Sequence, residues 1–151
     1  MKKRKILGID YGDFTIGLAI FDLETDFIYP YKTIFRTKAN VLRKSIREIV
    51  KIVKTENISY IVVGLPLNAD GTEGDRVDKV KLFSNMLING LTNAGFHESN
   101  IPIMFQDERL TTVEAKSILK ERGIPKTEWK KSIDQIAAEI ILTDYKQVNK
   151  L

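Results

Sequence analysis

Cysteine is absent from these 151 residues, and His97 and Trp129 are each alone of their kind. Without thiols there is no disulfide framework, no thiol redox chemistry and no Cys-based zinc site. The lone histidine lies in a polar turn and is expected to be exposed rather than a ligand. Long apolar runs are lacking too. None approaches the roughly 20 residues that cross a bilayer, and the short run behind the basic start Met1 to Lys5 contains Asp10, which suits neither a signal peptide nor a membrane span. Internal repeats and low-complexity tracts are also missing. These absences leave a soluble cytoplasmic protein with no membrane partner as the expectation, folded as a single domain over residues 1–151. What is present leans basic: 24 Lys and Arg against 20 Asp and Glu, a net charge of +4, which points towards a polyanionic partner.

The stretch Lys5 to Gly12 reads as a strand that ends in Asp-Tyr-Gly, and Thr15 to Phe21 as a second strand after a tight turn. Phe27 to Phe35 makes a third, with Pro30 arguing for an edge or a bulge. A helix is expected over Ala39 to Thr55 with Thr37 as its N-cap. Its outer face carries Arg43, Lys44, Arg47, Lys51 and Lys54, a pattern common on solvated surfaces. Ile58 to Gly64 is nearly continuous in apolar residues and reads as a central strand. After it comes a turn-rich loop, Leu65 to Gly74, in which Thr72 could cap the next helix, Glu73 to Ala94. A short strand at Ile101 to Phe105 leads into a helix from about Thr112 to Gly123. The segment Ile124 to Lys131 reads as a mobile loop, with Trp129 either an anchor on the core or a stacking platform, and a last helix spans Ser132 to Val148.

A carboxylate at the end of a mostly buried strand needs a hydrogen bond, an ion pair or a metal. Asp10 is in that position. Two other places could bring it company: Asp107 and Glu108 after the last strand, and Asp134 in the first turn of the last helix. Each has a plainer reading. Asp10 could cap a turn, Glu108 could pair with a neighbouring cation, and Asp134 could be an acid favoured by the helix dipole.

Five segments, Ile9-Asp-Tyr-Gly, Ile16-Gly-Leu-Ala, Val63 to Arg76, Asp107-Glu-Arg-Leu-Thr-Thr and Asp134-Gln-Ile-Ala-Ala, together resemble the YqgF family, described as Holliday junction resolvases and pre-16S rRNA nucleases. The resemblance implies an α/β fold of the RNase H type, a five-stranded mixed sheet of order 32145 with helices on both faces. It implies a metal-dependent nuclease with Asp10, Glu108 and Asp134 as catalytic, metal-holding acids and Asp107 as a possible substitute. The cofactor would be Mg²⁺ or Mn²⁺, as two ions, since clustered carboxylates favour hard cations.

Tyr11, Gly12, Asn68, Gly71, Gly74, Arg76, Lys79 and Arg109 are then expected to contact nucleic acid: Tyr11 by stacking, Gly12 by letting the backbone turn sharply beside Asp10, Gly71 and Gly74, with Gly64, by admitting phosphates to main-chain N–H groups, and the cations by neutralising phosphates. The implied substrate is a structured nucleic acid, pre-16S ribosomal RNA first and a branched DNA junction second, the latter suiting a homodimer. Two positions depart from the family pattern. Asp13-Phe14 replaces a small or basic pair, and Gln135 stands where a Lys is usual, which keeps open a nucleic-acid-binding module with a degenerate site. A phosphate loop of the sugar-kinase type is also conceivable for Gly8 to Gly12, but 151 residues are too few for the two lobes it needs.

Overall fold

The computed structural model describes residues 4–37, 41–97, 101–108 and 111–151. Strands β1 (Lys5–Tyr11), β2 (Thr15–Asp22) and β3 (Phe27–Phe35) form an antiparallel meander. Then come α1 (Arg43–Thr55), β4 (Ile58–Leu65), α2 (Asp75–Asn93), β5 (Ile103–Asp107), α3 (Thr111–Glu121) and α4 (Trp129–Val148). The five strands make one mixed sheet in the order β3-β2-β1-β4-β5, with β1, β4 and β5 parallel, which is the expected 32145 arrangement. Pro30 sits on the edge strand β3, and the β2–β3 register slips beside it, between Leu18 and Ala19; the missing N–H costs least at such a place.

Strand alternation divides the core into two layers. Leu7, Ile9 and Tyr11 of β1, with Ile16, Leu18, Ile61 and Val63, face α1 and α2, whose Ile46, Ile49, Phe83 and Leu87 complete that side. Ile6, Ala19, Phe21 and Val62 face α4, meeting Ala138, Ile141, Leu142 and Tyr145. Fully buried Phe21 and Phe83 each stabilise the fold by roughly 1.5–3 kcal/mol. Helix α3 packs on the far side of α4 through Ala115, Leu119, Ile136 and Ile140. No helix among the described residues is long and apolar enough to cross a membrane.

Several boundaries differ from expectation. Helix α1 begins at Arg43 without a side-chain cap, and Thr37 lies in a bend before it; Ala39 is outside the described residues. Gly74, not Thr72, is the N-cap of α2, because the Thr72 hydroxyl is engaged with Asp70 and Asn68 inside the preceding loop. The expected loop Ile124 to Lys131 is ordered: a 3₁₀ turn at Lys126–Glu128 runs straight into α4 at Trp129, whose indole N–H donates to the Ile124 carbonyl at 2.8 Å. Trp129 is the anchor. Starting there, α4 carries Asp134 into its second turn, beyond the first-turn position where a helix dipole favours an acid.

Candidate active site

Asp10 is the penultimate residue of β1 and shares the α4 face of the sheet with Ile6 and Gly8. Its cross-strand neighbour is Gly17 on β2. A Cβ at Gly17 would lie 2.0 Å from the backbone oxygen of Asp134, so only glycine lets α4 settle on the sheet there. Asp134 is thereby brought close enough for its charge to act on Asp10.

Glu108 arrives from the other side. Its N–H donates to the Leu65 carbonyl at 3.1 Å, extending the β4–β5 ladder one residue beyond β5. Strand β4 separates β5 from β1, and an ordinary side chain on it would bar the way. Gly64 holds that place: a Cβ would fall 2.7 Å from Glu108 Oε2 and 2.5 Å from Ile141 Cδ1. Glu108 therefore crosses over β4, is only 7 % exposed, and comes within electrostatic reach of the Asp10 carboxyl.

Two buried carboxyls this near one another favour their protonated forms. Burial and then Asp10 push Glu108 up to about 9, with Asp107 adding a little and Arg76 opposing. Burial is also the main cause for Asp10, raised to about 6, with Asp134 pushing the same way while Glu108 and the Arg76 charge pull it down. Glu108 Oε1 is buried without a hydrogen-bond partner. Such an atom is costly in a resting fold and suits a site awaiting a ligand. Among the described residues no three acidic or histidine side chains are already gathered around one ion position. The donor set of buried carboxylate oxygens, one of them orphaned, still fits a hard divalent cation.

On the other side of the β1–β2 turn, Gly12, Asp13, Pro66, Arg76 and Lys79 line a pocket. Arg76 and Lys79 are exposed on the first turns of α2, with Lys79 Nζ 3.4 Å from Asp13 Oδ1. Asn68, Gly71 and Gly74 belong to the loop before α2, where Asn68 N–H donates to the Thr72 carbonyl and Gly71 N–H to the Asn68 carbonyl. Arg109 lies outside the described residues. Asp107 points elsewhere, lining a groove with Gln106, Asp144 and Gln147.

Two expectations need correction. Tyr11 cannot stack on a base: it is buried, its ring lies 4.4 Å from Phe83, and the Arg36 guanidinium sits 4.9 Å over it. Gly64 admits no phosphate, since Glu108 and Ile141 fill the space above it. One residue was missed altogether. Buried Arg36, just past β3, donates to the Tyr11 hydroxyl and the Gly12 carbonyl, while its own N–H donates to the Phe14 carbonyl, so it clamps the turn that follows Asp10. Nothing local in the sequence marks it, because its partners are set by strand register.

A family model described as RuvX, Holliday junction resolvase, matches residues 4–147. The chain belongs to the RuvX family. Relatives named "Putative pre-16S rRNA nuclease" include one from Lachnospira eligens, 36% identical over 93% of this chain and 95% of its own length, and one from Orientia tsutsugamushi, 39% identical over 93% and 82%. Among solved structures, RuvC of Thermus thermophilus superposes with a TM-score of 0.56 at 14% identity, covering 96% of both chains, and the fowlpox virus Holliday junction resolvase with 0.53 at 12%, covering 95% and 99%. At such identities these neighbours speak to fold alone, and they share the RNase H type. In this RuvX chain the two unusual residues both have partners. Asp13 faces Lys79, and Gln135 Nε2 donates to Thr33 Oγ1 at 3.1 Å, tying α4 to β3.

Proposed function

We propose that this RuvX-family protein is a metal-dependent nuclease that hydrolyses phosphodiester bonds of structured nucleic acid, with 5′-end maturation of pre-16S ribosomal RNA as its task. The reading rests on one observation above others: Glu108 reaches across Gly64 towards Asp10 and leaves one buried oxygen unpartnered. Asp10, Glu108 and Asp134 would hold Mg²⁺ or Mn²⁺, two ions; Asp107, lining a separate groove, is not among their ligands. When bound, the ions supply the charge that activates a water and stabilises the leaving 3′ oxygen. The chain's own groups do the rest. The Glu108 carboxyl stores a proton in the metal-free protein and releases it as the site fills. Arg76 and Lys79 draw substrate phosphates to the rim of the site. A cytoplasmic, single-domain enzyme fits this work.

Four-way junction cutting is the second reading, supported by the family's description; symmetric incision would call for a homodimer. The names of the relatives favour RNA. Cleavage of a labelled ribosomal RNA precursor fragment and a four-way DNA junction, by wild type and Asp10→Asn with Mg²⁺ or Mn²⁺, tests both. Cutting that needs metal and Asp10 is expected, with the RNA preferred. Metal-independent cutting, or wild-type turnover by Asp10→Asn, removes the mechanism; binding without any cutting makes the protein a degenerate binding module.

A further inference from the structure

Helix α1 carries five cations and one acid, a balance of +4 that equals the net charge of the whole chain, so the remaining residues sum to neutrality. Its cations Arg43, Lys44, Arg47, Lys51 and Lys54 lie at helical spacing on one exposed face. None of them is paired with a carboxylate among the described residues: the one acid of the helix, Glu48, is taken by Lys32 of β3. With Glu48 engaged by Lys32, the stripe keeps a large positive excess that acts outward. From Arg43 to Lys54 it runs about 16 Å, about the length of five phosphates along one strand of a duplex.

The stripe borders a groove between α1 and the edge strand β3, floored by Tyr31, Ile34 and Ile52 and lined by Lys44, Arg47 and Lys51, with the Glu48–Lys32 pair between them. Arg36 and the 60 % exposed Phe35 close its upper end. Through Arg36 this end is bonded directly to Gly12, in the turn after Asp10. Charge and continuity thus lead from the carboxyl pair, past the β1–β2 turn, onto α1.

We infer that the α1–β3 groove is a second nucleic-acid contact, seating the phosphate backbone of a duplex arm of the substrate away from the point of cleavage. The inference rests on the proposed nuclease reading and adds where the rest of the substrate lies. An acidic protein segment would satisfy the charges but gives no reason for the groove to lead to the catalytic turn. A duplex that enters the active site must continue somewhere, and the cationic excess of α1 lies along this groove.

The test is equilibrium binding of the full chain, in EDTA, to a duplex-armed RNA and to a four-way DNA junction, for wild type, Lys44→Glu/Arg47→Glu/Lys51→Glu, and a control of equal charge change, Lys116→Glu/Lys120→Glu/Lys130→Glu. The control residues are exposed on α3 and α4. The α1 variant is expected to bind at least tenfold more weakly, with the slope of log affinity against log salt reduced by about 3, and the control to stay within about threefold of wild type. Equal weakening by both triple variants, or an α1 variant indistinguishable from wild type, overturns the inference; so does a wild type that binds neither nucleic acid. Cleavage of a short substrate without duplex arms separates the two ideas. Cutting that survives the α1 changes while arm binding is lost supports both, and α1-dependent binding with no cutting by wild type keeps the groove and removes the nuclease.

Discussion

The carboxyl of Glu108 occupies the space above Gly64 that the Cβ of any other residue would fill, at 2.7 Å. Gly64→Ala must therefore push aside Glu108 and the Ile141 methyl, both of them ends of side chains that can yield. Overpacking of this kind costs about 1–3 kcal/mol, and it moves the Glu108 carboxyl away from Asp10. We expect the variant to fold with a modestly lower Tm and to lose cleavage at least 100-fold. Calorimetry beside single-turnover cleavage checks the pair, and retained activity would show that Glu108 need not reach Asp10.

The carboxyl pair also predicts the pH dependence of stability. Both folded pKa values lie above their ordinary ones, 3.8 rising to about 6 for Asp10 and 4.5 to about 9 for Glu108. The folded chain thus holds more protons than the unfolded one in this window, and stability is lost as pH rises towards 9. Each pH unit carries at most about 1.4 kcal/mol per group, and about 1 kcal/mol moves Tm by roughly 2–4 °C in a domain of this size. In EDTA, Tm should fall between pH 6 and pH 8.5. Glu108→Gln should flatten that fall and be the more stable protein at pH 8.5. A slope equal to that of wild type would count against a proton held on Glu108.

Arg36 offers a third test. Its guanidinium is buried among Tyr11 and the Gly12 carbonyl, where lysine cannot reproduce two donors in a fixed fork. Arg36→Met should cost about 1–3 kcal/mol, from the buried acceptors left behind, and should lower kcat by loosening the turn after Asp10. The conservative Arg36→Lys should restore part of the Tm and less of the kcat. An unchanged kcat in Arg36→Met would make the residue a structural clamp only.

Which parts of this site could be read beforehand follows from the physics of each element. The continuous apolar runs of β1, β2 and β4 announce strands wherever they fall, and five motifs in order imply the sheet that the structure has. Tyr11 was legible and misread. Alternation gives it the parity of Leu7 and Ile9 and so the α1–α2 core, whereas Asp10, with the parity of Ile6 and Gly8, turns to α4. Asp134 was placed a turn too early, because a polar stretch with a proline hid the bond from Trp129 to Ile124 that starts α4 at Trp129. Arg36 and the crossing of Glu108 over Gly64 depend on register and sheet order, which no local pattern encodes.

Gly17 and Gly64 both clear space on the α4 face, yet their substitution should fail in different ways. A Cβ at Gly64 meets side-chain ends; at Gly17 it meets the Asp134 carbonyl oxygen at 2.0 Å and carbon at 2.3 Å, which move only if α4 moves. That helix packs against β1, β2, β3 and β4 and carries half of the core on its side, so lifting it opens Ala138, Ile141 and Leu142 together. Gly17→Ala is therefore expected to cost more than the 1–3 kcal/mol of ordinary overpacking, a large share of a total stability of about 5–15 kcal/mol. Its Tm should drop by about 8 °C or more, with amide exchange fastest along α4, before any question of catalysis arises. If Gly17→Ala melts with wild type, α4 does not rest on β2 as described, and the approach of Asp134 to Asp10 falls with it.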